Sequence, residues 1–101
     1  GFVFCSGQLP IDPATGVFAE GGVKEQTRQS ILNAQEVLRS AGLELSNVAK
    51  TTVYLSDMDN FAAMNEVYAQ FFSEPFPARS AVAVKTLPKN ALVEVECIAT
   101  R

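Results

Sequence analysis

One arginine and two glutamates near the end of the chain are of types that could bind a carboxylate and direct a water molecule. Arg79 lies in the apolar run FPARSAVAV, and Glu94 and Glu96 alternate with apolar residues in LVEVECIA. Side chains alternate between the faces of a strand, so Arg79 shares a face with Ala81, and Glu94 shares one with Glu96. If the two strands form a hairpin, the guanidinium and a carboxylate meet across it. The spacing therefore predicts a polar site on a sheet.

Two interpretations of this pairing remain open on spacing alone. A cross-strand salt bridge would only close the sheet and, if exposed, would contribute about 0 to 1 kcal/mol. Alternatively, Ala81 and Ala83 leave open space on the face of Arg79, and a guanidinium fork at the end of such a recess suits the bidentate binding of a carboxylate ligand.

The composition predicts one domain over residues 1–101 that associates with other subunits. Hydrophobic residues make up 48% of the 101 residues and charged residues 19%, which is apolar for a domain with so much surface. The net charge of −3 provides no basic patch, so no nucleic-acid partner is expected. An acidic small molecule would need a local positive site, which Arg79 provides.

The chain contains no histidine, which excludes Ser-His-Asp and Cys-His nucleophilic systems and most zinc sites. Cys5 and Cys97 have no C-x-x-C spacing, so neither a metal site nor a disulfide framework is expected, and free buried thiols in a reducing compartment fit best. No apolar run approaches the ~18 residues of a membrane span and no signal peptide is visible, which predicts a cytoplasmic protein without membrane contact. The chain opens without Met in an apparent strand, which predicts that upstream residues are missing.

Periodicity and turn residues divide the chain into seven elements. They are strands at Phe2–Ser6 and Val17–Ala19, a helix at Val23–Ala41 ended by Gly42, a strand at Val48–Ser56, a helix capped by Asp57 or Asp59 that runs to about Phe72, and strands at Arg79–Val84 and Leu92–Thr100 joined as a hairpin.

The order β-β-α-β-α-β-β predicts an α+β fold, a mixed sheet with two helices on one face. The helix side of the last strand is predicted to hold Val93, Val95, Cys97 and Ala99. The open side would then hold Glu94, Glu96 and Ile98 beside Arg79, Ala81 and Ala83. That face is too apolar to be left bare, which predicts a homo-oligomer with pockets where subunits meet.

Four segments together carry a resemblance to a known family. They are CSGQLPIDPATG, AKTTVYLSDMDNFAAMNEVY, FPARSAVAV and LPKNALVEVECIA, and they span the chain in order. They resemble the Rid family of reactive intermediate imine deaminases, also called the YjgF family. The resemblance implies a chorismate-mutase-like α+β fold and a homotrimer with three clefts between subunits. It further implies cofactor-independent hydrolysis of 2-imino or enamine acids, such as 2-iminobutanoate and 2-iminopropanoate, to 2-oxo acids and ammonia.

The resemblance also assigns roles residue by residue. Arg79 matches the family arginine that holds the substrate carboxylate, and Glu94 matches the glutamate credited with positioning water. Ser6 and Gly7 match the strand-end pair that lines the cleft. Asn65 matches a substrate-binding position on the second helix.

Three positions are treated differently from the family pattern. Tyr68 also matches a helix position but is interpreted as a core residue. The family often has cysteine two residues after the arginine, whereas this chain has Ala81, so only a backbone carbonyl could serve there. A family tyrosine in a segment resembling GPYSQ is absent from these residues, so the residues that would close the cleft are not all present.

Two other classes of function are weighed against the hydrolase. A non-catalytic module could bind 2-oxo acids through Arg79 alone, whereas a hydrolase also needs Glu94 to aim water. RNA cleavage or translation control is disfavoured by the net charge of −3 and the lack of histidine.

Overall fold

Two amphipathic stretches and four alternating stretches fold into a mixed α/β structure in the computed structural model, which describes residues 1–101. The elements are β1 (Phe2–Gln8), α1 (Val23–Ser40), β2 (Val48–Leu55), α2 (Phe61–Phe71), β3 (Ala78–Ala83) and β4 (Val93–Thr100). The predicted α+β class with two helices is confirmed, and both helices pack on one face of the sheet.

The predicted strand at Val17–Ala19 is not formed. Ile11 and Phe18 make only a single isolated bridge, and the chain between them turns around Asp12, whose side chain accepts the Ala14 N–H at 2.9 Å. Because hydrogen bonds within residues 12–17 hold this segment as a turn, only Ile11 and Phe18, at its two ends, pair as strand residues do.

Both helices begin and end close to the predicted residues. The Gly22 N–H donates to Glu25 Oε1 at 3.0 Å at the start of α1. Gly42, at a φ of +78°, follows its end in the left-handed conformation that favours glycine. Asp57 caps the short 3₁₀ turn that leads into α2, since its carboxylate accepts the Asp59 N–H at 2.8 Å. Neither helix is both long and apolar enough to cross a membrane.

The strand order is β1-β4-β2-β3, with β2 and β3 parallel and the other neighbours antiparallel. The predicted hairpin between the last two strands is therefore wrong, because β2 lies between β3 and β4. Residues 84–92 connect them through a 3₁₀ turn in which Lys89 and Asn90 have positive φ. The physical reason is that the apolar inner face of β4 is buried under α1 at the centre of the sheet, where β1 and β2 pair with its two edges.

The register shows which face of the sheet each site residue occupies. Arg79 pairs with Thr51 and Ala81 pairs with Val53, and both partners are buried beneath the helices. Paired residues point to the same side, so Arg79 and Ala81 lie on the helix face. Their predicted position on the open face is wrong, because that position assumed a neighbouring β4.

The last strand follows its predicted alternation. Its helix-side residues, Val93, Val95, Cys97 and Ala99, are all buried. Glu94 and Glu96 pair with Tyr54 and Thr52 on the sheet face away from the helices, called the open face below.

Large apolar side chains are exposed at both edges of the open face. Phe2 and Phe4 of the edge strand β1 are 67% and 74% exposed, and their rings stand 6.2 Å apart. Phe4 pairs with Ile98, and Val82 is exposed on β3 at the opposite edge. The open face thus carries exposed apolar side chains beside Glu94 and Glu96, but Arg79, Ala81 and Ala83, which were predicted to lie there, are not part of it.

Candidate functional site

Arg79 is held in place without being neutralised. Its Nη1 donates to Asn65 Oδ1 on α2 at 2.6 Å, and its guanidinium carbon lies 4.7 Å from the ring centre of Tyr68 and 5.4 Å from that of Phe61. The side chain is exposed and forms no ion pair with any carboxylate of the chain. The remaining N–H donors of the fork are therefore oriented and free to bind an anion.

The structural alternative for Arg79 fails on this geometry. A cross-strand salt bridge would require Glu94 or Glu96 on the neighbouring strand, whereas the neighbour of β3 is β2. The guanidinium is thus stacked on aromatic rings with no carboxylate partner in the chain, and its role as a ligand-binding group stays a prediction.

Tyr68 is a rigid support for Arg79. Its hydroxyl shares a hydrogen bond of 2.8 Å with Thr51 Oγ1, and its ring stacks on Phe72 with centres 4.5 Å apart. Burial raises the pKa of Tyr68, so the phenol stays neutral. The interpretation of Tyr68 as a core residue is confirmed by its burial.

The support for Arg79 was only partly visible in the sequence. Phe61, Asn65 and Tyr68 follow the helical spacing i, i+4, i+7 and so lie on one face of α2. This spacing could have indicated a platform for the arginine, but the sheet order was needed to place β3 beside it.

A cavity of about 400 Å³ opens beside the guanidinium. Asn65 and Arg79 supply its polar groups, and Tyr68, Phe72 and Phe76 supply an apolar wall. A volume of this size is typical of pockets for small molecules.

Glu94 lies in a separate part of the molecule, against Gly7. The carboxylate is half-buried on the open face and has no hydrogen-bond or ion-pair partner. A Cβ atom on Gly7 would lie 2.7 Å from Glu94 Cδ and 2.9 Å from Oε2. Glycine is therefore required at position 7 by the close approach of the carboxylate, and the break in register between Cys5 and Gln8 brings the two together.

Ser6 precedes this contact on β1 and is exposed. Its carbonyl oxygen accepts a hydrogen bond from Gln8 Nε2 at 3.0 Å. Ser6, Gly7 and Glu94 thus lie at one end of the open face, and their role in lining a cleft stays a prediction.

Glu96 differs from Glu94 because it already has a partner. Tyr54 Oη donates to Glu96 Oε1 at 2.8 Å, and this hydrogen bond raises the pKa of Tyr54. A carboxylate that already accepts a hydrogen bond from a neighbouring side chain is less suited to binding a reacting water. The geometry thus favours Glu94 as the free carboxylate.

Arg79 and Glu94 do not meet within one chain. Arg79 is in register with Thr51 of β2 and Glu94 with Tyr54, and the two side chains point to opposite faces. The register offset alone amounts to about 10 Å along the strand, and β2 separates the two strands by a further ~10 Å. The predicted contact across a hairpin is therefore wrong.

Ala81 lies with Arg79 on the helix face, packed against the core. The structure thus divides the predicted site residues into two groups. Arg79, Asn65 and Ala81 form one group, and Ser6, Gly7 and Glu94 form the other. No group of three or more His, Cys, Asp or Glu side chains is placed to hold a metal ion.

Comparisons with known proteins agree on one family. The family model described as Endoribonuclease L-PSP matches residues 1–101. A RutC family protein from Pyrococcus horikoshii is 54% identical over 98 residues, which cover 97% of this chain and 78% of the relative. The goat (Capra hircus) protein named 2-iminobutanoate/2-iminopropanoate deaminase is 46% identical over 99 residues, covering 98% and 72%.

A solved structure confirms the fold. The crystal structure of Escherichia coli TdcF with bound serine superposes with a TM-score of 0.93 at 43% identity, covering 99% of this chain and 80% of that one.

Proposed function

The chain belongs to the Endoribonuclease L-PSP family, the family of the Rid proteins that its motifs resemble, and we propose that it hydrolyses the C=N bond of 2-imino acids. Its substrates are 2-iminobutanoate and 2-iminopropanoate, which become 2-oxo acids and ammonia. The observation that carries the proposal is the free Arg79 fork, held by Asn65 and stacked on Tyr68. The named activity of the goat relative and the serine in TdcF, which carries an α-carboxylate, support the same ligand class.

In this reaction Arg79 binds the substrate carboxylate through its two-pronged fork and fixes the position of the adjacent C2 atom. The protonated imine is already electrophilic, so the protein must mainly place water and charge. Asn65 acts by holding the guanidinium, and the aromatic wall beside it accommodates the substrate side chain.

Glu94 is proposed to orient the attacking water and to accept its proton. The water oxygen bonds to C2 while the C=N π electrons move to nitrogen, which gives a tetrahedral amino alcohol. Proton transfer from Glu94 to nitrogen then allows the C–N bond to break. Ammonia leaves as the C2 carbonyl forms, and the hydroxyl proton passes to the Glu94 carboxylate. Backbone groups at Ser6, Gly7 and Ala81 line this centre, and no cofactor takes part.

The separation of Arg79 from Glu94 supports a site shared between two copies. Each copy presents Arg79 near one edge of its sheet and Glu94 with Gly7 on its open face. A contact between the Arg79 surface of one copy and the Glu94 surface of the next is heterologous, and such contacts generate a closed ring when the rotation between copies closes. We therefore propose a homotrimer with three inter-subunit clefts, as the family resemblance implies.

The proposed assembly predicts that light scattering at micromolar concentration returns about three times the chain mass of 10.9 kDa. The reason is that exposed Phe2 and Phe4 lie on a sheet face that no helix covers. A stable monomer at this concentration would contradict both the trimer and the shared cleft.

The activity is tested by hydrolysis of imino acids generated in the assay by an amino-acid oxidase. Semicarbazide traps the remaining imine, so a true deaminase lowers semicarbazone formation in proportion to its concentration. The protein is expected to accelerate the loss of both imines over buffer. Binding of 2-oxobutanoate without any acceleration would instead favour a non-catalytic binding module.

RNA is not proposed as a substrate, although the family description names an endoribonuclease. The chain carries a net charge of −3 and has no histidine to act as a general acid or base. The cytoplasm is the proposed location.

A further inference from the structure

The two cysteines of the chain stand directly opposite each other in the sheet. Cys5 of β1 pairs with Cys97 of β4 in an antiparallel register, and both thiols are free, with 3% and 4% of each residue exposed. The proposed deaminase mechanism uses neither. We propose that Cys5 and Cys97 are a covalent modification site, where a peroxide converts the dithiol into a cross-strand disulfide.

The backbone geometry already satisfies the requirements of the bond. Directly opposed residues in an antiparallel pair have Cα atoms about 4.5 to 5.5 Å apart. Disulfides span Cα distances of about 4.4 to 6.8 Å. Both cysteines point to the helix face, so their sulfur atoms can be joined without separating the strands.

The surroundings of the two thiols differ in a way that suits the reaction. A hydrogen bond from Cys97 lowers the pKa of Cys5, whereas the neighbouring Cys5 thiol and burial raise the pKa of Cys97. Cys5 is therefore the thiol that more readily forms a thiolate and attacks first. Cys97 remains protonated beside it as the resolving partner.

The oxidation is balanced with hydrogen peroxide as the oxidant. The Cys5 thiolate attacks one peroxide oxygen, the O–O bond breaks, and the departing hydroxide is protonated to water, which leaves Cys5 as a sulfenic acid. The Cys97 sulfur then attacks the Cys5 sulfur, the S–O bond breaks, and the thiol proton leaves with the hydroxyl as a second water. Two thiols and one peroxide thus give one disulfide and two waters.

A route for a small oxidant exists at the edge of the sheet. Because β1 is an edge strand, local opening there exposes the buried Cys5 without disturbing the rest of the sheet.

The bond would lie beside the proposed site. Cys5 directly precedes Ser6 and Gly7, and Cys97 lies on the strand that carries Glu94. A covalent link at this point fixes β1 on β4 next to the register break that brings Gly7 against Glu94. The modified protein is therefore expected to unfold at a higher temperature than the reduced protein.

The test treats the purified protein with hydrogen peroxide, denatures it, alkylates free thiols and measures the intact mass. The expected product is a monomeric chain that has lost two hydrogen atoms and takes up no alkylating agent. Its melting temperature should rise by about 5 °C or more and return on addition of dithiothreitol. Cys5→Ser and Cys97→Ser are the matched controls, and neither should show the two-hydrogen loss within one chain or the reversible rise in melting temperature.

Two outcomes would overturn the modification site. One is that both thiols of the peroxide-treated wild type remain alkylatable after denaturation. The other is that the mass gain corresponds to sulfinic acids or to disulfides between chains. Neither outcome depends on catalysis, so failure of this inference leaves the deaminase assay unaffected.

Discussion

Replacement of Arg79 by alanine is expected to lower kcat/KM for hydrolysis of 2-iminobutanoate by about 10- to 100-fold or more while the fold stays intact. The estimate follows from loss of a charge-assisted bidentate contact, worth about 1.5 to 3 kcal/mol. The fold should persist because Arg79 is exposed and has no ion-pair partner whose charge would be left uncompensated.

Arg28→Ala is a close structural control for Arg79→Ala. The Arg28 guanidinium lies 5.6 Å from the ring centre of Phe71, and its Nη2 donates to Gln70 Oε1 at 2.8 Å. It therefore shares the stacking and the amide contact of Arg79 but lies on the helices, away from β3. Arg28→Ala should keep wild-type activity, and Arg79→Lys should recover only part of it because lysine lacks the fork.

Thermal unfolding separates a functional from a structural role for Arg79. If Arg79→Ala melts far below the wild type and loses its circular dichroism signal, the arginine stabilises the packing of β3 against α2. If the variant is folded and fully active, the carboxylate must bind elsewhere.

Glu94→Gln is expected to lower kcat by about 10²- to 10⁴-fold, the usual effect of removing a general base. Glutamine keeps the size of the side chain, so its contact with Gly7 and the local packing are preserved. Binding of 2-oxobutanoate should remain close to wild type because the carboxylate is held by Arg79. Isothermal titration calorimetry and the semicarbazone assay measure the two effects separately.

Glu96→Gln is the matched control on the same face of β4. Its carboxylate is engaged by the Tyr54 hydroxyl at 2.8 Å, so the change should leave most of the activity. If Glu96→Gln is the damaging change and Glu94→Gln is not, the water-directing carboxylate is Glu96. Loss of 2-oxobutanoate binding in Glu94→Gln would contradict the assignment of binding to Arg79 alone.

Local features of the fold were predictable from the sequence. The periodicity of α1 and its glycine terminator gave its boundaries closely, and the in-out alternation of Val93, Val95 and Cys97 is confirmed by their burial. These features depend on residues near one another in the chain, where side-chain period and capping act directly.

The face occupied by Arg79 was not predictable in the same way. Alternation shows that Arg79 and Ala81 share a side but does not show which side, because that depends on the neighbouring strand. The position of β2 between β3 and β4 follows from tertiary packing, because β4 lies at the centre of the sheet, where its inner face is buried. The close approach of Glu94 to Gly7 likewise depends on a register break that no local pattern marks.

The distribution of the site residues gives the proposed site an unusual property. Since Arg79 and Glu94 lie on opposite faces of one chain, a complete cleft in the proposed assembly would take its arginine from one copy and its glutamate from another. Two variants with different lesions should therefore restore activity when they are mixed in one assembly, whereas an assembly of either variant alone should not.

The most direct measurement is the activity of hybrids between Arg79→Ala and Glu94→Gln, produced by co-expression with different affinity tags and purified through both. In a three-membered ring of heterologous contacts that contains both variants, about one third of the clefts combine an intact arginine with an intact glutamate. The hybrids are predicted to recover imine hydrolysis to roughly that fraction of the wild-type rate, while each parent assembly keeps only the low residual rate of its own variant. Hybrids as inactive as the parents, from a wild type that is active, would show that the site is not shared between copies.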